Sequence, residues 1–353
     1  MTDSGSTASP HEAPYAGLNP DVVLDALDAV GLRGDGRLIQ LNSYENRVFQ
    51  VFLEDGRVVV TKFYRPARWS DAQILEEHTF ADELAAREIP VATCWPLAVD
   101  ASSRLAGEVN LKGPTLAELA TPVGRYRFSV SQRLAGRAPE LEDPATLEWL
   151  GRFIGRMHAV GALETFKHRK ALDVATFGTA HRDWLLAQDL IPPDTLIPWR
   201  DVSKAALDAV AEAFDQAGTP RQLRLHGDCH LGNVLWADDG PHFVDLDDAV
   251  TGPATQDLWM LLSGDRGAMT RQLAAVLDGY ESFMDFDWRE LRLIEPLRTL
   301  RIIHHSAWIA RRWSDPAFPI AFPWFTSPSY WAEQTTRLRE QLVAMAEPAL
   351  GGR

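Results

Sequence analysis

The segment spanning residues 223–248 constrains the fold of this 353-residue chain more than any other part of its sequence. It contains Asp228, then Asn233 five residues later, then Asp245 twelve residues after that. Between Asn233 and Asp245, two short apolar runs flank the turn-forming residues Asp-Asp-Gly-Pro at 238–241. This pattern predicts a β-hairpin whose two ends bring Asn233 and Asp245 to the same place.

Asp228, Asn233 and Asp245 are the side-chain types that phosphoryl transfer from ATP requires. Asp228 can accept the proton of an attacking hydroxyl, while the amide of Asn233 and the carboxylate of Asp245 are both oxygen ligands for Mg²⁺. The alternative is a surface loop that is rich in Asp and His by chance. The fixed order of the three residues, set among strand and turn signals, argues against that alternative and predicts an active site.

The catalytic segment resembles a known branch of the protein-kinase superfamily. His-Gly-Asp-x-His-x-x-Asn at 226–233, followed by Val-Asp-Leu-Asp at 244–247, is similar to the catalytic and metal-binding loops of aminoglycoside-phosphotransferase-like kinases. It differs from the His-Arg-Asp-Leu and Asp-Phe-Gly motifs of ordinary protein kinases. Gly227 stands in place of the Arg, His230 in place of a Lys, and Asp247 in place of the Gly.

Longer strings resemble one family of that branch, the bacterial stress response kinase A family. They are Leu-Asn-Ser-Tyr-Glu-Asn-Arg-Val (41–48), Lys-Phe-Tyr-Arg-Pro (62–66), Gln-Ile-Leu-Glu-Glu-His (73–78), Leu-Arg-Leu-His-Gly-Asp-Cys-His (223–230), Val-Asp-Leu-Asp-Asp-Ala (244–249), Gln-Asp-Leu-Trp-Met-Leu-Leu (256–262) and Arg-Arg-Trp-Ser-Asp-Pro-Ala-Phe-Pro (311–319). The similarity extends over residues 19–342 and implies an ATP- and Mg²⁺-dependent Ser/Thr protein kinase of the stress response that can autophosphorylate. It also implies Asp228 as proton acceptor, Asn233 and Asp245 as Mg²⁺ ligands, and Ser43 as a phosphate contact.

Residues 37–64 alternate between apolar strands and turns, which predicts a three-stranded antiparallel meander over 38–41, 48–53 and 58–64. The loop between the first two strands is where a kinase covers the ATP phosphates, and glycines are usual there. This loop has none. Its short polar residues, such as Ser43 and Asn46, can offer hydrogen-bond donors to phosphate instead. For Ser43, an ordinary turn residue remains the alternative to a phosphate contact or phosphorylation site.

Lys62 lies in the middle of the third predicted strand, among valines and a phenylalanine. A lysine there is unfavourable unless its ammonium has a partner. In a kinase such a lysine contacts the α- and β-phosphates and pairs with a helix glutamate; a lysine on a solvated sheet face is the alternative. Glu76 and Glu77 follow at the expected distance on a predicted helix (72–87). Glu77 fits the inward-facing stripe better, and Glu76 remains open.

The element pattern predicts an α+β, bilobal protein-kinase-like fold. We expect a disordered tail over residues 1–18, an N-terminal lobe over 19–130 built from an antiparallel sheet with one helix, a hinge at 131–137, and a mostly helical C-terminal lobe over 138–353. Further strands are predicted at 95–99, 105–111 and 126–130. The hinge would hydrogen-bond adenine through its backbone.

Several residues of the helical lobe have structural or open interpretations. Asp257 resembles the aspartate that anchors the catalytic-loop backbone in this superfamily, and His158 is predicted to be a hydrogen-bonded structural histidine. Cys229 is interpreted as a space-filling residue, with a redox-sensitive thiol as the alternative. The basic residues within 166–183 are interpreted as a solvated segment rather than a docking site for an acidic partner. Within the aromatic-rich segment 297–325, we expect most aromatics in the core and the others in the wall of the acceptor cleft.

Composition limits the classes of partner. The 35 Lys and Arg against 49 Asp and Glu leave a net charge of −14, which argues against a general nucleic-acid-binding protein. Two distant cysteines suggest neither a disulfide framework nor a zinc site. There is no apolar run of 18 residues and no secretion signal, so we expect a cytoplasmic protein without membrane insertion. We expect a monomer whose partners are ATP and a protein substrate.

The catalytic residues do not separate two classes of kinase. A small-molecule kinase acting on an aminoglycoside, choline or homoserine hydroxyl would need nearly the same active site. A pseudokinase that only binds nucleotide is a third alternative. The presence of Lys62, Asp228, Asn233 and Asp245 together argues against it. The family resemblance therefore favours a Ser/Thr protein kinase, with its physiological substrate undetermined.

Overall fold

The computed structural model describes residues 14–351, which form two compact units. The first unit comprises residues 14–85, 92–134 and 314–320, and the second comprises residues 86–91, 135–313 and 321–351. The division after Leu134 falls within the segment that we predicted to be a hinge. Two short segments belong to the unit opposite to that of their sequence neighbours: residues 86–91 to the second unit and residues 314–320 to the first. Neither assignment was predicted, because no local sequence pattern marks it.

The first unit contains a six-stranded antiparallel sheet, in the strand order β1-β2-β3-β6-β5-β4, together with α1, α2 and most of the short α9 (Ala317–Ala321). Its elements are α1 (Pro20–Asp28), β1 (Gly34–Gln40), β2 (Arg47–Leu53), β3 (Val58–Phe63), α2 (Asp71–Ala85), β4 (Val109–Leu111), β5 (Ala117–Thr121) and β6 (Gly124–Gln132). The predicted meander is confirmed as β1 to β3. Residues 19–130, the predicted N-terminal lobe, contain two α-helices rather than the one predicted.

The outer strand predictions were less accurate. No strand occurs at 95–99. The residue before this segment, Cys94, forms only an isolated bridge with Ser131. The strand predicted from residue 105 starts at Val109, after a turn of 3₁₀-helix. The tail predicted over residues 1–18 is too long: residues 1–13 lie outside the described part, but the Tyr15 hydroxyl donates to the Glu45 carbonyl at 3.1 Å. Tertiary contacts decide each of these cases.

Local capping signals were reliable guides to the helix starts. The Asn19 side chain accepts from the Val22 N–H at 3.0 Å, and Pro20 occupies the first helical position of α1. At α2, the Ser70 hydroxyl accepts from the Gln73 N–H, and the Gln73 side chain accepts from the Ser70 N–H. This reciprocal pair satisfies two otherwise unbonded backbone donors, so α2 begins where the sequence predicted.

Residues 314–320 belong to the first unit because Arg65 binds them. The Arg65 guanidinium, which is buried, pairs with Asp315 at 2.8 Å and lies 5.5 Å from the ring centre of Phe318. It also donates to the carbonyls of Tyr44 and Glu45, at 3.2 and 3.0 Å, in the loop between β1 and β2. One arginine therefore holds both the candidate phosphate loop and a distant segment of the chain.

The second unit is mostly helical. Its elements are α3 (Pro144–Gly161), a π-helical turn (Ala175–Thr179), α4 (Ala180–Leu186), α5 (Pro193–Ala217), β7 (Leu223–Leu225), β8 (Val234–Ala237), β9 (Gly240–Phe243), β10 (Val250–Gly252), α6 (Thr255–Trp259), α7 (Arg266–Tyr280), α8 (Ile294–Ala310) and α10 (Pro328–Ala346). The short α9 (Ala317–Ala321) lies between α8 and α10 in sequence. Within residues 14–351, no helix is long and apolar enough to cross a membrane.

The predicted hairpin is confirmed as β8 and β9. The strands pair from Val234 opposite Phe243 to Ala237 opposite Gly240, so the turn itself contains only two residues. Beyond the hairpin ends, the Val244 N–H donates to the Asn233 carbonyl at 3.0 Å. The two ends therefore meet, as the sequence predicted.

Glu290 supports the start of α6, the helix that carries Asp257. Only 1% of Glu290 is exposed, and its carboxylate accepts from the Thr255 N–H at 3.0 Å. Burial, opposed by the hydrogen bonds from Thr255, raises the pKa of Glu290 from 4.5 to about 7. The protonated form therefore stabilises the fold fully below pH 4.5, and this contribution is lost as the pH rises through 7.

We expect Glu290→Gln to reduce the loss of stability between pH 5 and pH 8. Glutamine keeps the size and the acceptor oxygen but cannot ionise. Between pH 5 and pH 8, the unfolding free energy of wild type should therefore fall by on the order of 2–3 kcal/mol more than that of the variant. Urea unfolding at both pH values measures this difference. Glu340→Gln, at an exposed position of α10, is the control and should follow wild type. An unchanged pH dependence in Glu290→Gln would contradict the assignment.

Candidate active site

Asp257 holds the backbone of the catalytic loop. It is 0% exposed; its Oδ2 accepts from the His226 N–H and its Oδ1 from the Gly227 N–H, both at 2.8 Å. His158 lies on the other side, with Nε2 3.1 Å from the same Oδ2 and Nδ1 3.1 Å from the Tyr280 hydroxyl. The anchoring role predicted for Asp257 and the structural role predicted for His158 are both confirmed.

Gly227 fills the position where ordinary protein kinases have an arginine, and the structure accounts for the change. Its φ is +84°, and a Cβ at this position would lie 2.1 Å from the Asp248 carbonyl oxygen. Only glycine fits both the backbone conformation and this close approach. The Gln256 side-chain amide donates to the Gly227 carbonyl at 2.8 Å, so the residue before Asp228 is held on both sides.

The Asp228 carboxylate is oriented by two basic side chains. Arg301 Nη1 lies 2.5 Å from Oδ1, and His230 Nε2 lies 3.4 Å from Oδ2. Burial raises the pKa of Asp228, but the His230 hydrogen bond and the Arg301 charge outweigh it and hold the pKa well below its usual range. Our sequence analysis did not place Arg301 in the site. The signal was there, since it is a basic residue in an apolar helix.

The His230 ring has a defined tautomer. Its Nδ1 accepts from the Gly232 N–H at 2.9 Å, which caps the short 3₁₀ turn leading to Asn233. A neutral imidazole that accepts at Nδ1 carries its proton on Nε2. That nitrogen faces Asp228. The histidine therefore connects the carboxylate of Asp228 to the turn that positions Asn233.

Asn233 and Asp245, the predicted oxygen-ligand pair, lie at the two joined ends of the β8–β9 hairpin. The Asn233 Nδ2 donates to the Asp228 carbonyl at 2.9 Å, which leaves Oδ1 as the atom available to a cation. Asp245 is exposed and has left-handed backbone angles, φ 60° and ψ 61°. For a residue other than glycine this conformation costs about 1–3 kcal/mol, which suits a functional position.

The oxygen atoms of Asn233 and Asp245 suit an open Mg²⁺ site better than a metal site whose ligands all come from the protein. Within residues 14–351, no group of three or more His, Cys, Asp or Glu side chains could hold a metal ion. A cation bound to Asn233 and Asp245 would therefore take its remaining ligands from nucleotide phosphates and water, as Mg²⁺ does in kinases. The metal assignment stays a prediction.

The segment around Asp245 is held by residues that lie elsewhere in the sequence. His226 Nε2 donates to the Val244 carbonyl at 3.0 Å. Arg169 Nη1 donates to the carbonyls of Asp247 and Ala249, at 2.7 and 3.1 Å, and Arg169 is only 6% exposed. The interpretation of residues 166–183 as a solvated segment was therefore wrong for Arg169, since it is buried and holds the backbone that follows Asp245.

In the first unit, Lys62 of β3 and Glu77 of α2 share an environment. Burial and the charge of Glu77, opposed by the charge of Lys62, raise the pKa of the Cys94 thiol to about 12. Both charges therefore lie near the same thiol. Glu77 is 6% exposed, whereas Glu76 is half-buried. This difference supports Glu77 over Glu76 as the partner of Lys62, and the pairing itself stays a prediction.

The other candidate residues have different environments. Ser43 is half-buried in the loop between β1 and β2, and its phosphate contact stays a prediction. Asn46 is structural, because its buried side chain accepts from the Arg65 N–H at 3.1 Å. Cys229 is fully buried, and burial, followed by the charges of Asp257 and Asp228, raises its pKa well above the ordinary value. A thiol of this kind is unreactive, which supports its space-filling interpretation.

Comparison with protein families and curated proteins agrees with this geometry. Residues 37–294 match the model of the phosphotransferase enzyme family. Stress response kinase A of Escherichia coli (strain K12) is 43% identical over 333 residues, which cover 94% of this chain and 95% of that protein. Serine/threonine protein kinase RdoA of Salmonella typhimurium (strain LT2) is 42% identical over the same shares of both chains. The resemblance stated from the sequence strings is confirmed.

Solved structures show the same fold at low identity. The complex of amicoumacin kinase hAmiN with AMP-PNP, Ca²⁺ and Ami is 17% identical, with a TM-score of 0.67 over 92% of this chain and 93% of that one. A microcompartment-associated aminopropanol kinase is 15% identical, with a TM-score of 0.70 over 93% of this chain and 98% of that one. The predicted α+β kinase-like fold is confirmed.

We expect Gly227→Ala to destabilise the protein much more than Gly56→Ala. The two glycines have almost the same φ, +84° and +85°, but no atom lies within 4 Å of a Cβ at Gly56. Gly56→Ala should therefore cost only the left-handed backbone penalty of about 1–2 kcal/mol. Gly227→Ala adds a backbone clash, for a total of about 2–5 kcal/mol. Urea unfolding of both variants measures the difference, and equal costs would contradict the close approach to Asp248.

Proposed function

We propose that this chain, which belongs to the phosphotransferase enzyme family and is an ATP-dependent kinase, is a Mg²⁺-dependent Ser/Thr protein kinase of the stress response. Its acceptor would be a serine or threonine hydroxyl of a protein, including a second copy of the enzyme. The observation that carries this proposal is the Asp228 carboxylate, which Arg301 and His230 hold in place, while the Asp228 backbone carbonyl accepts from the side chain of the candidate metal ligand Asn233. The name of one relative that spans nearly the whole chain, serine/threonine protein kinase RdoA, supports the protein acceptor, and the name stress response kinase A supports the role in stress.

Each residue has a distinct role in the proposed reaction. Asp228 orients the acceptor hydroxyl and takes its proton, and Arg301 and His230 hold its carboxylate in place. Asn233 and Asp245 would hold Mg²⁺, which when bound neutralises phosphate charge. The anchoring of the loop by Asp257 means that little reorganisation is needed during the reaction.

The first unit would supply the remaining nucleotide contacts. Lys62 would position the α- and β-phosphates, with Glu77 holding its ammonium. Ser43, in the loop held by Arg65, would contact phosphate through its hydroxyl or its backbone N–H. These contacts position ATP and leave proton transfer to Asp228.

A small-molecule kinase is the second candidate function. Two proteins with this fold are an amicoumacin kinase and an aminopropanol kinase. Their identity to this chain is 17% and 15%, so their acceptors do not transfer to it directly. A nucleotide-binding pseudokinase is the third candidate, and the retained candidate residues argue against it.

We expect Asp228→Asn and Asp245→Asn to separate chemistry from nucleotide binding. Asp228→Asn should lower phosphoryl transfer about 10²- to 10⁴-fold, the usual contribution of a positioned base. Its ATP–Mg²⁺ affinity should stay within about threefold, or ~0.65 kcal/mol. Asp245→Asn should weaken Mg²⁺-dependent nucleotide binding as well as transfer. Calorimetry and single-turnover assays measure the two quantities.

The controls for this pair are chelator and metal add-back. Excess EDTA should abolish wild-type transfer, and Mg²⁺ should restore it. Near-normal transfer by Asp228→Asn would remove its assignment as base. Full transfer in excess EDTA would remove the metal assignment of Asn233 and Asp245.

We expect the wild-type enzyme to transfer phosphate from labelled ATP to protein. The test uses a generic protein substrate, the Asp228→Asn variant as an inactive acceptor, and a panel containing aminoglycosides, choline and homoserine. Label should enter Ser or Thr of the protein acceptors, and label in the inactive variant would report transfer between copies. Label found only in a small alcohol, with saturation at cellular concentrations, would establish the second candidate function instead.

A further inference from the structure

One face of α8 carries a row of basic and aromatic side chains, and the first of them contacts Asp228. The residues recur every three or four positions, so they share one side of the helix and its C-terminal continuation. We call this set the basic stripe; its members are Arg301, His304, His305, Trp308, Arg311 and Arg312. The first member contacts the Asp228 carboxylate, and the His305 ring stacks on Trp308 with centroids 5.7 Å apart.

Residues 177–184 pack against the basic stripe and keep its far end in place. The His181 and His304 ring centroids are 4.7 Å apart, and Phe177 lies 5.5 Å from His304. The Arg311 guanidinium lies over the Trp184 ring, 4.2 Å from its centre. Stacking on an indole holds the planar guanidinium in one orientation and leaves its N–H groups available to an anion.

The stripe concentrates positive charge in a chain whose net charge is −14. Burial, then the charges of Arg311, Lys170 and Arg312, lowers the pKa of His181 to about 4. The His181 Nδ1 is buried without a hydrogen-bond partner. Three cations therefore act on one small region around this ring.

The carboxylates near the stripe do not neutralise Arg311. Asp183 pairs with Arg182 at 2.9 Å, and Glu333 of α10 pairs with Arg337 at 3.7 Å. Burial lowers the pKa of Arg311, and within residues 14–351 no carboxylate forms an ion pair with it. Arg311 is also exposed, so it is able to bind an anionic group from outside.

The length of the stripe suits an extended peptide. Arg311 follows Arg301 by ten residues, which corresponds to about 15 Å along a helix. An extended chain covers about 3.3 Å per residue, so this length equals about four or five residues. A peptide whose hydroxyl is at Asp228 would place the side chain four or five positions away near Arg311.

We propose that the basic stripe binds an acidic segment of the protein acceptor, with Arg311 recognising a carboxylate or phosphate four or five residues from the phosphorylated Ser or Thr. This inference rests on the proposed function, because it requires a peptide acceptor. Arginine binds carboxylate and phosphate through paired hydrogen bonds, which gives the contact its specificity. Polycationic acceptors such as aminoglycosides are disfavoured, because like charges would face each other.

The test compares synthetic Ser peptides that differ only at the fourth and fifth positions on either side of the serine. These positions carry Glu, phosphoserine, Gln or Lys, and kcat/KM is measured for each peptide. The wild-type enzyme should prefer Glu or phosphoserine over Gln by about tenfold, a difference of about 1.4 kcal/mol, expressed mainly in KM. The Glu and phosphoserine arms show which anion is preferred.

Three variants locate the effect. Arg311→Gln should reduce the acidic-to-neutral ratio to about one, and Arg311→Glu should shift the preference toward the Lys peptides. Arg271→Gln, at an exposed position of α7, removes the same charge elsewhere in the second unit and should keep the wild-type ratio. Arg311→Lys keeps the charge without the planar fork and should retain part of the preference. Thermal unfolding of each variant confirms that it is folded.

The outcomes separate this inference from the proposed function. Peptide phosphorylation without acidic preference, or a preference that survives in Arg311→Gln, overturns the inference and leaves the protein-kinase function intact. Transfer only to small alcohols removes both. Single-stranded RNA that competes at lower concentration than the Glu peptide would mean that the stripe binds nucleic acid, which also overturns the inference.

Discussion

The buried carboxylate of Asp257 is the interaction on which the rest of the active site depends. It accepts hydrogen bonds from the backbone N–H groups of His226 and Gly227, and it contacts His158. Hydrogen bonds to a buried charge contribute about 1.5–3 kcal/mol each, and their loss would leave that charge unsatisfied. The effect extends further, because the His226 side chain donates to the Val244 carbonyl, directly before Asp245. One side chain therefore helps to position both the backbone before Asp228 and the backbone before Asp245.

Two groups of Asp228 have partners of different kinds. Its backbone carbonyl accepts from the Asn233 side chain, and the β8–β9 hairpin leads from Asn233 to Asp245. Its carboxylate pairs with Arg301, the first residue of the basic stripe, which continues to Arg311. Under the proposed function, Asn233 and Asp245 would bind the metal–nucleotide complex and the basic stripe would bind an anionic acceptor. The net charge of −14 is therefore no guide to the charge around Asp228.

Predictions from sequence were accurate where the decisive interactions are local. The β1–β3 meander and the β8–β9 hairpin depend on residues only a few positions apart. They were inaccurate where distant residues decide. Arg65 recruits Asp315 from 250 positions away, and Arg169 braces carbonyls 78 and 80 positions away. No window of sequence contains both partners of such a contact.

The sequence by itself determined the kinase-like fold and the anchoring role of Asp257, and it singled out Asp228, Asn233 and Asp245 as candidate site residues, because motif order and short-range periodicity carry that information. Only the tertiary structure decided which cations surround these acids. Arg301 pairs with Asp228 from 73 positions away, and His230 faces the same carboxylate through a tautomer set by a neighbouring backbone N–H. The physical reason is that charge interactions depend on distance and burial in space. Residue order alone contains neither quantity.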